Sequence, residues 1–133
     1  MSYGTSVTLD VPFSEAVARV RAALARQGFG VLTEIDVTAT LRAKLGEQIE
    51  DYVILGACNP PLAHRALAAD RSIGLLLPCN VVVRATPAGT VVEALDPQIM
   101  ATLTGRPELK SVADEVTRQL AAALADLKES GEE

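Results

Sequence analysis

Two apolar runs joined by a short turn constrain the fold of this chain more than any other feature of its sequence. The runs cover residues 73–84 and 90–95, and the turn between them contains Pro87, Ala88 and Gly89. Aliphatic runs on either side of such a turn predict a β-hairpin. Hairpin strands are antiparallel, whereas a doubly wound sheet requires parallel strands joined by long crossovers. The hairpin therefore favours an antiparallel sheet.

The patterns before the hairpin predict alternating strands and helices. Alternating apolar residues indicate strands, and apolar residues spaced by three or four indicate helices. Pro12 suits the first position of a helix, and Gly28 suits its C-terminal cap. Asn59 followed by Pro60 suits the start of another helix. The predicted elements are strands over 6–11, 29–37 and 52–58 (the last buried on both faces), and helices over 12–27, 38–45 and 60–69.

The last element is the most regular helix of the sequence, over residues 108–128. Six of its apolar residues follow one another at steps of three or four: Leu109, Val112, Val116, Leu120, Leu124 and Leu127. Such a stripe must be buried, and the sheet is the available surface. Asp96 and Pro97 predict a short helical turn before it. We therefore predict one α+β domain over residues 1–133, with helices on one face of an antiparallel sheet and a flexible tail over 129–133.

Composition and charge disfavour several partners. The chain has a net charge of −5, two tyrosines, two phenylalanines and no tryptophan. It therefore offers nucleic acid neither counterion release nor base stacking. The same charge disfavours an anionic membrane surface, and the longest apolar stretch, residues 73–83, is too short to span a bilayer. Two cysteines and the lack of a secretory signal predict a reducing, cytoplasmic location.

Three residues in two segments form the candidate site: Cys58, His64 and Cys79. Cys58 lies where a strand meets a capped helix, and free backbone amides at such a place stabilise a thiolate. His64 follows one to two turns along that helix. Pro78 within a strand predicts a bulge that re-aims Cys79. Two thiols and one imidazole are soft ligands, so we predict a transition-metal site or a small-ligand site.

Other interpretations of these residues stay open. Cysteines are often buried in protein cores, and Cys58 and Cys79 both lie in apolar segments. His64 equally fits a surface position or a helix cap. The leading hypothesis is a small-molecule or metal-binding domain. A cysteine-based redox or thiol enzyme with Cys58 as the nucleophile is the first alternative, and a structural homodimer that only binds another protein is the second.

The two cysteine segments resemble a bacterial and archaeal family known as domain of unknown function 302. The resemblance lies in residues 29–32 (Phe-Gly-Val-Leu), 54–60 (Ile-Leu-Gly-Ala-Cys-Asn-Pro) and 76–81 (Leu-Leu-Pro-Cys-Asn-Val), and Asp96-Pro97 fits as well. It covers nearly the whole chain and implies a TATA-binding-protein-like fold, with a curved antiparallel sheet and helices on one side. It also implies a homodimer. It supplies no catalytic residue, and kinship to a DNA-binding class does not imply DNA binding.

Overall fold

The computed structural model describes residues 3–131. Its strands are β1 (Gly4–Leu9), β2 (Gly30–Asp36), β3 (Tyr52–Cys58), β4 (Cys79–Thr86) and β5 (Gly89–Leu95). Its helices are α1 (Phe13–Arg26), α2 (Val37–Leu45), α3 (Pro60–Ala69), α4 (Gln98–Thr104) and α5 (Glu108–Gly131). A 3-10 helix, Arg71–Leu76, lies between α3 and β4.

The five strands form one antiparallel sheet in the order β1-β5-β4-β3-β2. The predicted hairpin is its β4–β5 pair, in which Thr86 pairs with Gly89 across a two-residue turn. Gly89 has a φ of 139°, and a Cβ there would lie 2.6 Å from the carbonyl oxygen of Leu9. Only glycine combines that backbone conformation with that close approach. Gly89, the first residue of β5, is therefore required by the fold, and the antiparallel sheet is confirmed.

The helices cover one face of the sheet, which we call the helix face. Val81 and Val83 of β4, and Val92 of β5, point to it and are almost completely buried. Val82 and Glu93, which point to the opposite side, are partly exposed. We call that side the open face. The predicted fold class, an α+β domain with a curved antiparallel sheet, helices on one face and a long C-terminal helix, is confirmed.

Helix α5 packs on the helix face together with α1. It contacts α1, α3, α4 and β1, and all six residues of its predicted apolar stripe are buried. Ala113 and Ala123 are also buried and widen the stripe. Their small side chains allow neighbouring helices to approach closely. Near the C-terminal end of α5, Asp126 Oδ2 accepts a hydrogen bond from Arg26 Nε of α1 at 2.8 Å. The predicted helix is thus a central element of the core.

The predicted strand over residues 73–84 is wrong in its first half. Residues 71–76 form the 3-10 helix, and β4 begins only at Cys79. Asp70 starts the 3-10 helix because its Oδ1 accepts a hydrogen bond from the Ser72 amide at 3.0 Å. Pro78 cannot donate to a strand ladder, so the strand begins after it. The bulge predicted at Pro78 is therefore absent, since Pro78 precedes the strand.

The first three strands differ from prediction in smaller ways. β1 lies at residues 4–9 instead of 6–11, and β2 ends at Asp36, whose Oδ1 caps α2 by accepting from the Ala39 amide. The register of β2 against β3 shifts between Val31 and Thr33, so the regular alternation predicted for this strand is interrupted there. β3 is fully buried only on the helix face, because no helix covers Ile54 on the open face.

The C-terminal end of α5 lies beyond the predicted end of the helix. The helix continues from residue 128 to Gly131, so residues 129–131 of the predicted tail are helical. The rest of that tail, residues 132–133, lies outside the described residues. No helix within residues 3–131 is both long enough and apolar enough to cross a membrane.

Replacing both Val116 and Leu120 with alanine should lower the free energy of unfolding by about 3–8 kcal/mol, because both side chains are buried between α5 and the sheet. Urea denaturation followed by circular dichroism measures this change. The exposed residue Arg118 of the same helix provides the control, and Arg118→Ala should change stability little. An unchanged midpoint for the double variant would show that α5 contributes little to the core.

Candidate functional site

Cys58 and Cys79 lie together at one end of the sheet. Cys58 ends β3, Cys79 begins β4, and Cys79 pairs with Ala57 across the two strands. Both cysteines line a small apolar cavity of about 20 Å³ between this end of the sheet and α3, α4 and α5. We call it the sulfur cavity. A volume of this size holds about one water molecule.

The glycine before Cys58 makes room for the proline before Cys79. Gly56 lies opposite Asn80 in β4, and a Cβ at Gly56 would come within 2.8 Å of Pro78 Cγ and collide with the Thr33 side chain. A larger residue would therefore push the Pro78 ring away from the sheet. The segments Gly56-Ala57-Cys58 and Pro78-Cys79-Asn80 thus fit each other by shape, and this fit brings Cys58 and Cys79 to the same end of the sheet.

Asn59 fixes the start of α3 beside Cys58. Its Oδ1 accepts from the Leu62 amide at 3.3 Å, as the predicted cap requires. Its Nδ2 donates to Gln119 Oε1 of α5 at 2.8 Å. Both ends of this one amide are therefore used, and the turn that carries Cys58 is tied directly to the C-terminal helix.

The start of α3 does not offer Cys58 the free amides that we predicted. Pro60 and Pro61 occupy its first two positions and have no N–H. The Leu62 amide donates to Asn59 Oδ1, and the Ala63 amide donates to the Asn59 carbonyl oxygen. Of the donors that this helix start would present beyond its cap residue, two are therefore missing and two are used within the helix.

Cys79 is held as a neutral thiol. It is only 7% exposed, and this burial raises the pKa of the Cys79 thiol to about 11, with the charge of a Cys58 thiolate as a second cause. A raised pKa means that the protonated form dominates at neutral pH. A buried, protonated thiol is a poor nucleophile. Cys79 therefore lacks the properties of a catalytic cysteine.

His64 does not join the two cysteines. Leu62 and Ala66 face the core from α3, and His64 lies two residues from each, about 200° around the helix. Its side chain is exposed and it does not line the sulfur cavity. Within residues 3–131, no three His, Cys, Asp or Glu side chains are grouped to hold a metal. The predicted three-residue site of Cys58, His64 and Cys79 is therefore not formed.

Met100 is the sulfur residue at this corner that the sequence analysis missed. It lies in α4, is 4% exposed and lines the sulfur cavity with both cysteines. The position of Met100 near Cys79 could have been predicted from the register of the β4–β5 hairpin. Pairing of Thr86 with Gly89, continued along the ladder, places residue 96 beside Cys79. Because α4 begins directly afterwards, its first turn must lie near Cys79.

An open cleft of about 220 Å³ adjoins the sulfur cavity on the other side of Cys79. Leu75 and Leu76 of the 3-10 helix form one wall, and Ile99 of α4 contributes to the other. Cys79 and Met100 line both the cleft and the sulfur cavity. The 3-10 helix, which occupies part of the predicted strand, is thus one wall of a surface depression that leads to Cys79. We call this depression the cleft.

In the folded protein at about pH 8, Ellman's reagent should modify one thiol per chain rapidly, because Cys58 is partly exposed whereas Cys79 is buried and protonated. The absorbance of the released thiolate measures the rate. Cys58→Ser should remove the rapid phase and Cys79→Ser should retain it, and unfolding in urea should expose both thiols. Equally rapid modification of Cys79 in the folded protein would contradict this assignment.

Comparison with known proteins gives one consistent result. Residues 5–127 match the family described as "Domain of unknown function DUF302". The crystal structure of an uncharacterized conserved protein DUF302 from Bacillus stearothermophilus is similar, with a TM-score of 0.89 and 30% sequence identity over 96% of this chain and 99% of that chain. A search of curated proteins finds no match. Because the family match spans almost all of its residues, the chain belongs to the DUF302 family.

Proposed function

We propose that this protein is a binding domain for a small ligand, with its site at the cysteine corner. One observation carries the proposal: the sulfur cavity and the cleft meet at Cys79 and Met100. Sites for small molecules are concave, largely apolar and furnished with a few polar groups. The corner has each of these properties, since aliphatic side chains form its walls and Cys79 lies where the cavity and the cleft meet.

The same geometry favours binding over thiol catalysis. A catalytic cysteine needs a thiolate and a nearby base. Cys79 is protonated, the first two residues of α3 after Asn59 are prolines without an N–H, and His64 is exposed and does not line the sulfur cavity. A cysteine-based redox or thiol enzyme is therefore a weaker candidate function than a ligand-binding domain.

The lining of the cleft restricts the class of ligand. Leu75, Leu76 and Ile99 offer aliphatic contacts, and Asn80 and Asp96 are the polar residues among those that line the cleft. Asp96 Oδ1 already accepts from the Gln98 amide at 3.0 Å, so its carboxylate is held in place. The volume of about 220 Å³ is below the range for drug-sized ligands. The expected ligand is a small aliphatic molecule with one hydrogen-bond donor.

A set of small aliphatic alcohols and amines, screened by NMR on labelled protein, should shift backbone amides of residues 75–80 and 95–100. Ile99→Trp should abolish these shifts, because the indole fills the cleft. Leu103→Trp adds the same side chain at a 68% exposed position of α4 that does not line the cleft, and it should leave binding unchanged. Shifts confined to the groove of the open face beside Tyr52 would contradict the proposal.

A second candidate function is the formation of a homodimer through the open face. The open face carries a row of partly or fully exposed apolar residues across three strands, Ile35, Ile54 and Val82, which the strand register places side by side. No helix covers them. Next to this row, Arg84 Nε donates to Glu93 Oε1 at 2.8 Å, which neutralises both charges. An apolar patch with paired charges suits contact with a second copy of itself.

Light scattering should give a mass near twice the 14.0 kDa of one chain if the open face forms the dimer. Val82→Glu places a charge at the centre of that face and should yield the monomer, because burying an unpaired carboxylate is costly. Leu103→Glu adds the same charge to an exposed position on α4 and should leave the mass unchanged. A wild-type monomer at high concentration would rule the dimer out.

A further inference from the structure

An open pocket of about 350 Å³ lies on the helix face between α1, α2 and the strands β2 and β3. This volume is within the roughly 300–1,000 Å³ of small-molecule sites. The pocket shares no lining residue with the sulfur cavity or the cleft, so it is a separate site. We call it the charged pocket, and its residues used below are Phe13, Val17, Glu34, Asp36, Arg42 and Asp51.

The strand register places two carboxylates on the helix face, where the charged pocket lies. Asp36 pairs with Val53, which is buried on the helix face, and cross-strand partners share a face. The Ala85 amide donates to the Asp51 carbonyl oxygen at 2.9 Å, which continues the β3–β4 ladder by one residue. Because Asp51 is two residues before Val53, its side chain lies on the same face.

Helix α2 places one cation on the opposite wall of the charged pocket. Thr38 is the buried residue of this helix, and its Oγ1 donates to the Glu50 carbonyl oxygen at 2.7 Å and accepts from the Tyr52 amide at 2.8 Å. These two bonds attach α2 to the segment that enters β3. Arg42 follows Thr38 by four residues and so lies on the same side of the helix, facing that segment.

Three charges in the charged pocket remain without a compensating partner. Glu34 is neutralised, because Arg21 Nη2 donates to its Oε1 at 2.7 Å. Asp36 uses Oδ1 to cap α2, but within residues 3–131 its Oδ2 forms no hydrogen bond. In the same part of the chain, neither Arg42 nor Asp51 forms a side-chain hydrogen bond or an ion pair. One guanidinium and two carboxylates are therefore open to a ligand.

We propose that the charged pocket binds a small zwitterion, an α-amino acid with an aliphatic side chain. The Arg42 guanidinium binds the ligand's carboxylate, whose two oxygens match the fork of an arginine. Asp51 and Asp36 Oδ2 accept hydrogen bonds from its ammonium group. The aliphatic side chain contacts Phe13 and Val17, two apolar residues of α1 that line the pocket and are only partly buried. This site is independent of the one proposed at the cysteine corner.

Ligands of a single charge fit the charged pocket less well. A simple amine would leave Arg42 unpaired and place a second cation near it. A simple carboxylate would meet the two carboxylates of Asp36 and Asp51. Juxtaposed like charges select against such ligands. A metal ion is disfavoured as well, since within residues 3–131 no three His, Cys, Asp or Glu side chains are grouped to hold one. A zwitterion compensates both signs of charge.

Three probes of the same carbon skeleton test this proposal: L-leucine, 3-methylbutylamine, which lacks the carboxylate, and 4-methylpentanoate, which lacks the ammonium group. NMR titration of the labelled full chain at low salt reports both the affinity and the place of binding. L-leucine should shift the backbone amides of residues 38–42 and 51–53. Each of the other probes should bind there about tenfold more weakly or less, since each loses a charge-assisted hydrogen bond.

Four variants test the assigned roles. Arg42→Met keeps a long side chain without the charge, so it should weaken L-leucine binding about tenfold or more and make 3-methylbutylamine the better ligand. Asp51→Asn should weaken both probes that carry an ammonium group. Arg118→Met and Asp10→Asn make the same changes of charge at exposed positions outside the pocket, and they should leave the affinity for L-leucine unchanged.

The site at the cysteine corner fails or stands separately in this experiment. Ile99→Trp changes the cleft alone and should leave L-leucine binding at residues 38–42 intact. Shifts confined to residues 75–80 and 95–100, no shifts at all with L-leucine, equal affinity for the three probes, or an unchanged affinity of Arg42→Met for L-leucine would each overturn the proposal.

Discussion

The packing of α5 on the helix face is the interaction on which the other features depend. Its apolar stripe contacts the sheet while its flanks contact α1, α3 and α4. Val112 and Val116 also form part of the wall of the sulfur cavity, and Gln119 holds Asn59 beside Cys58. One helix thus stabilises the core and shapes the site. Changes in its packing would therefore reach the thiols directly, through side-chain contacts of one or two residues.

Local sequence patterns predicted most of the elements, because the features that start and stop them lie within a few residues. Asn59 and Pro60 predicted the start of α3 correctly, and Gly28, with a φ of 85°, follows the end of α1 as predicted. The error at residues 73–76 has a different origin. An aliphatic run of that length fits a buried strand or a buried helical turn equally well, and tertiary contacts decide between them.

The candidate site was predicted in part. The two cysteines belong to adjacent strands, so their position at one end of the sheet follows from the strand order once the sheet is known. Distance along the chain does not indicate that His64 points away from them, because direction around α3 decides this and Leu62 and Ala66 take its buried positions. Met100 was overlooked because its approach depends on a hairpin register that continues for several residues beyond the turn.

The register shift in β2 bears on how copies of this chain can meet. β2 is one edge of the sheet, and its ladder is interrupted between Val31 and Thr33 before α2 begins at Val37. An irregular edge is a poorer template for a strand of another chain than a flat and continuous one, which invites extension into fibrils. At this edge of the sheet, the small irregularity in β2 therefore disfavours strand-by-strand growth.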